Sequence, residues 1–93
     1  MIDITLDFET YFDKEYSLSR KGVTTMSYVR DSRFEVLGVG IQIQDAPVRF
    51  FTGYEMDDAM QLLHDIQDTS GVNLIGQNTK FDALILHEHY DFI

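Results

Sequence analysis

The chain has no cysteine among its 93 residues, which excludes disulfide staples and any zinc or redox site built on thiolates. Positive charge is also scarce: seven Lys and Arg stand against sixteen Asp and Glu, a formal net charge of −9. A protein held on nucleic acid by phosphate contacts alone needs the opposite balance. An enzyme that meets nucleic acid at one cation-loaded site does not. Long apolar runs are missing too, since nothing approaches the ~20 residues that span a bilayer. The opening "MIDITLDF" carries neither the basic stretch nor the apolar core of a secretory leader. These absences lead us to expect a soluble, intracellular protein with no membrane partner.

A hydrophobic fraction of 44% and an aromatic fraction of 13% are enough to build a core rather than a disordered segment. The length allows one domain, 1–93, of modest stability. Most of the acids are expected to form a solvated face.

Hydrophobic spacing gives the element order. In "IDITLDF", 2–8, Ile2, Ile4, Leu6 and Phe8 alternate with Asp3, Thr5 and Asp7, the period of a strand with its acids on one side. Residues 13–23 are polar and predict an exposed loop, and 24–32 a short helix capped by Thr24 or Thr25. "FEVLGVGIQIQ", 34–44, predicts a long strand with a bulge or kink at Gly38 and Gly40, paired through the turn at Pro47 with a short strand over 48–52. "TGYE", 52–55, has capping-box form and leads into Met56, Ala59, Met60, Leu63 and Ile66 at helical spacing, with a stop near Gly71. The methionines there are packing residues. "VNLIG", 72–76, predicts a buried strand, and the stretch after it a helix capped by Asn78 or Thr79, with Phe81, Leu84 and Ile85 on one face. His64, His87 and His89 are expected on helix surfaces, with His87 and Asp91 in a local contact. This order implies an α/β protein with a mixed sheet and flanking helices.

Asp7 and Glu9 pose an electrostatic problem. On a strand, side chains at i and i+2 share a face about 7 Å apart. If both are partly buried and ionised, their repulsion is on the order of 2–3 kcal/mol. Exposure to water, a raised pKa on one acid, or a divalent cation can each relieve that cost. In "IGQNTKFD", 75–82, a strand end feeds a helix carrying Asp82 in its first turn. Functional groups collect at the carboxyl ends of parallel strands, so if the first and fourth strands lie side by side, Asp7, Glu9 and Asp82 converge at one edge. Carboxylates without His or Cys suit Mg²⁺ or Mn²⁺ rather than zinc.

"DFET", 7–10, followed by "IGQNTKFDALIL", 75–86, resembles the first and second motifs of the DEDD, or DnaQ-like, 3′→5′ exonucleases. The intervening "YSLSRKGVTTMSYVRDSRFEVLGVGIQI", 16–43, is similar to the proofreading domain at the N-terminus of bacteriophage-type family A DNA polymerases. The resemblance implies a ribonuclease H-like fold and two-metal hydrolysis of 3′-terminal phosphodiesters. Under it Asp7 is a ligand bridging two ions, Glu9 a ligand of one, and Asp82 the second-motif acid. Asn78 lies close to the 3′-terminal nucleotide, Phe8 and Thr10 flank the site, and Phe81 is mainly structural. The implied cofactor is Mg²⁺ or Mn²⁺. The implied partners are a single-stranded DNA 3′ end and the remainder of a polymerase or exonuclease chain, in the cytoplasm of an infected bacterium.

The family pattern has a third motif, a Tyr or His that positions the attacking water and a fourth acid four or five residues beyond it, respectively. "HEHYDF", 87–92, does not match its spacing. The expectation is therefore an N-terminal part of the domain, with the sheet lacking its last strand and the edge beside the first strand open, inactive until the third motif is supplied. Two other readings compete with it. One is a non-catalytic interaction module that docks on a replication partner, and the other a stand-alone DEDD ribonuclease.

Overall fold

Alternation in the first ten residues becomes β1, Ile2–Thr10, with Ile4, Leu6 and Phe8 buried and Asp7 and Glu9 exposed. The computed structural model describes residues 1–76 and 78–92. Across from β1 runs β2, Val36–Ile43, antiparallel, and β3, Arg49–Thr52, pairs antiparallel with β2. On the other side of β1, β4, Val72–Ile75, pairs in parallel, giving the order β3-β2-β1-β4. The helices are α1, Thr25–Arg30, α2, Glu55–Ser70, and α3, Thr79–Tyr90. The chain is thus a small α/β domain with a mixed four-stranded sheet, as its element order implied.

One core joins the layers. Ile4, Leu6, Phe8, Val39, Ile41 and Phe51 from one sheet face pack with Ala59, Met60 and Leu63 of α2, Ile85 and Leu86 of α3, and Val29 of α1. Met56 and Met60 lie in this core, as their spacing implied. The other sheet face has no helix on it. It carries Thr5, Asp7 and Glu9 from β1 opposite Gln42, Gly40 and Gly38 of β2, with Phe50 of β3 opposite Gly40.

Several local expectations are corrected. The bulge in β2 falls at Leu37, because Glu9 pairs with Gly38 and Thr10 with Val36, and both glycines stay in register. Thr52 and Glu55 do not form a reciprocal capping box. The helix begins two residues later, at the Tyr54 cap, so the Glu55 carboxylate reaches back to the Thr52 N–H while the Thr52 hydroxyl donates to that same carboxylate. The reciprocal box forms instead at Thr24 and Ser27, at the start of α1. Strand β4 is a half-buried edge, not a buried strand, with Asn73 and Ile75 exposed. Leu84 packs against the core partly buried, as expected, and Leu86 joins Phe81 and Ile85 as a fully buried residue of α3. The open edge expected beside β1 lies instead at β4, which flanks β1 along Ile2–Thr5 and has no further strand neighbour among the described residues, while Leu6–Thr10 of β1 runs on past it.

The polar stretch 13–23 is more firmly held than its composition suggests. Asp13 accepts hydrogen bonds from the N–H groups of Glu15 and Tyr16 and from the Tyr11 hydroxyl at 2.6 Å, an Asx-type turn that turns Tyr16 inward. Tyr16 is buried, stacks on Tyr28 at 4.5 Å and donates to the Tyr28 carbonyl. His89 also has a structural task, since its ring bonds the Val29 carbonyl at 2.8 Å and stacks on Phe34, tying α3 to α1.

Candidate functional site

The site grows out of a strand that outruns its neighbour. β4 ends opposite Thr5, but β1 continues to Thr10. On the β4 side, the Phe8 N–H has no strand carbonyl to bond. The first turn of α3 fills that place: the Asp82 carboxylate accepts from the Phe8 N–H at 3.4 Å. Asn78 sets the helix there by capping it, its side chain accepting from the Phe81 N–H. Gly76 permits the approach, because a Cβ at that position would lie 3.1 Å from the Leu6 carbonyl oxygen and 3.6 Å from Asp82 Oδ2.

Asp82 is 5% exposed and is the charged residue buried among those described. Burial raises its pKa, the Phe8 N–H opposes that rise, and the neighbouring Asp7 charge adds to it, leaving the group at about 6. Of the three ways to relieve the crowding of Asp7 and Glu9, exposure to water is the one visible in the protein alone, and the raised pKa belongs to the third acid, Asp82. Asp7 and Glu9 face water, and Asp82 holds its proton more tightly.

The structure brings the predicted residues together unevenly. Asp7, Phe8 and Asn78 line one open cleft of about 630 Å³, together with Gly76, Phe81 and Leu18 from the pinned loop. Phe8 contributes its backbone, since its side chain is buried and stacks on Tyr90. Thr10 turns away: its hydroxyl lies 2.9 Å from the Tyr28 hydroxyl, which also donates to the Tyr11 carbonyl. Asp7, Glu9 and Asp82 do not close into a three-carboxylate group among the described residues. Asp7 and Asp82 are the electrostatically linked pair. Leu18 was not anticipated. Its surroundings in the sequence are polar, and only the Asp13 turn and the Tyr16 anchor, both nonlocal in effect, carry it to the cleft.

As a donor set, Asp7 and Asp82 suit a hard divalent ion. Mg²⁺ keeps several waters and takes one or two carboxylates plus substrate phosphate, rather than an all-protein cage. The open cleft and the exposed Asp7 leave room for those other ligands. None of the described helices is long and apolar enough to cross a membrane. No protein-family model matches the chain, and no curated protein or solved structure matches it.

Proposed function

We propose that this domain is the N-terminal part of a ribonuclease H-like 3′→5′ exonuclease domain of the proofreading, phage polymerase type, with Mg²⁺ or Mn²⁺ as cofactor. The observation that carries the reading is the meeting of the two motifs: the buried Asp82 carboxylate bonds the strand at Phe8, beside Asp7, at the end of a parallel strand pair. The resemblance of "DFET" and "NTKFD" to the DEDD motifs supports the same roles.

In this reading Asp7 and Asp82 would hold one divalent ion, and Glu9, next along the same face of β1, would help Asp7 hold a second. Bound there, the ions supply Lewis acidity toward the scissile phosphodiester and lower the pKa of the attacking water. The protein's own share is positioning. Asp82 is fixed by the Phe8 N–H, Asn78 stands at the mouth of the cleft, and Leu18 and Phe81 wall off an apolar side against which a terminal nucleotide rests. A Tyr or His to orient the water, and a fourth acid, are not supplied by these 93 residues, so hydrolysis requires a further segment that brings them.

The test is thermal melting with and without millimolar Mg²⁺ or Mn²⁺. Ions that bind only the folded chain raise its stability by mass action, and Asp7→Ala is expected to abolish that gain while folding normally. A non-catalytic docking module is the second reading, favoured by the exposed β4 edge with Ile75 at its tip. It predicts partner binding that is indifferent to Asp7, Glu9 and Asp82.

A further inference from the structure

The pattern Gly38-Val39-Gly40 places both glycines on the helix-free sheet face, directly opposite the motif acids: Glu9 pairs with Gly38 and Asp7 with Gly40. The strip of sheet beside the two carboxylates therefore has no side chains of its own. Phe50 of β3 occupies it. A Cβ at Gly38 would lie 2.7 Å from the Phe50 ring, and one at Gly40 would lie 4.0 Å from it, so the ring rests on the glycine strip. Phe50 nevertheless remains 53% exposed. A groove of about 230 Å³ runs over this strip at Gly40, and Asp7, Gln42, Val48 and Phe50 line it, so Asp7 is shared with the cleft that Asn78 and Phe81 line.

We propose that Phe50, seated on Gly38 and Gly40, is a stacking platform for a nucleobase of a single strand whose phosphate would be met by a divalent ion at Asp7 and Asp82. The inference rests on the exonuclease reading of Asp7 and Asp82. Three features of the groove select a base over other apolar groups. Bases stack on exposed aromatic rings without regard to sequence. The Gln42 amide stands in the same groove, its Nε2 donating to the Ala46 carbonyl and its oxygen left to meet a base edge. The glycine strip lets the ring lie down against the sheet, where a side chain at Gly38 would lift it off, and leaves the ring's other side open to a flat ligand. Without π-stacking as its use, the ring would merely cover glycine backbone, a task any bulky apolar residue performs.

That contrast sets the experiment. The trinucleotide (dT)₃ is titrated into the full chain in Mg²⁺ and followed by proton NMR, beside Phe50→Leu and Phe50→Tyr variants, and each protein is also melted with and without Mg²⁺. The wild type and Phe50→Tyr are expected to shift the thymine H6 and methyl resonances upfield by ring current. Phe50→Leu, which keeps the apolar cover, is expected to lose those shifts and bind on the order of tenfold more weakly, with its Mg²⁺-induced melting shift unchanged. Equal binding and equal base shifts in Phe50→Leu and wild type overturn the platform. A wild type that stacks the base through Phe50 but shows no Mg²⁺ effect on melting keeps the platform and removes the metal reading, so the two fail separately.

Discussion

The two faces of β1 differ in almost every property that matters, although they alternate residue by residue. Ile4, Leu6 and Phe8 lie in the core under the helices, whereas Thr5, Asp7 and Glu9 look out over a face with no helix on it. One face holds the fold together, and the other is left open to solvent. Asp82 crosses between them: it belongs to a packed helix on the core side, yet its carboxylate bonds the strand backbone next to Asp7. The difference teaches that a single strand can separate a packed face from a solvent-open acidic one with a spacing of one residue, with one buried carboxylate bonded to the backbone between them.

The contrast breaks most visibly at Leu6. Leu6→Ala opens a cavity in the shared core and is expected to cost about 2–5 kcal/mol, whereas Asp7→Ala, its exposed neighbour, is expected to change stability by less than about 0.5 kcal/mol. Urea unfolding of both variants checks the pair, and comparable losses would show that the outer face is structural after all.

Asp82 sharpens the comparison through pH. Its folded-state pKa of about 6 lies above the ordinary value of 3.8, so between those values the folded chain holds more protons than the unfolded one. Protonation therefore stabilises the fold, and that stability is lost as pH rises through about 6. The difference is worth up to about 3 kcal/mol. Asp82→Asn keeps an acceptor for the Phe8 N–H without the charge. Melted in EDTA, it is expected to exceed the wild type in stability at pH 7.5 and to converge with it near pH 4. A constant gap across that range would place the Asp82 carboxylate in an ordinary solvated environment.

Smaller effects belong to the elements that aim the linking residue. Asn78→Ala removes the α3 cap and is expected to cost about 1 kcal/mol, measurable as a lowered urea midpoint. Glu88→Ala breaks the exposed 2.7 Å pair with Arg30 between α1 and α3, and is expected to cost less than about 1 kcal/mol. If the Glu88 variant loses more than the Asn78 variant, the surface pair matters more to the placement of α3 than its cap does.

Much of this was legible in the sequence. Alternation in "IDITLDF", the spacing Met56, Ala59, Met60, Leu63, and the stop at Gly71 located the first strand and the long helix because each depends on local periodicity. The parallel meeting of the first and fourth strands was stated as a condition and is present. Features set by neighbours far along the chain were less legible. Whether "VNLIG" is central or an edge depends on what lies beyond it, and the two glycines of 38–40 suggested a distortion when they provide clearance for Phe50. The burial of Tyr16 and the turning away of Thr10 depend on a cluster of tyrosines whose members come from three segments.

The most direct test of the account is calorimetric titration of Mn²⁺ into the wild type, Asp7→Ala and Asp82→Asn at pH 7.5, with each variant's fold confirmed by circular dichroism. The account predicts saturable binding by the wild type that is weakened at least tenfold in both folded variants. Binding unchanged by both substitutions, or no binding by the wild type, would contradict it.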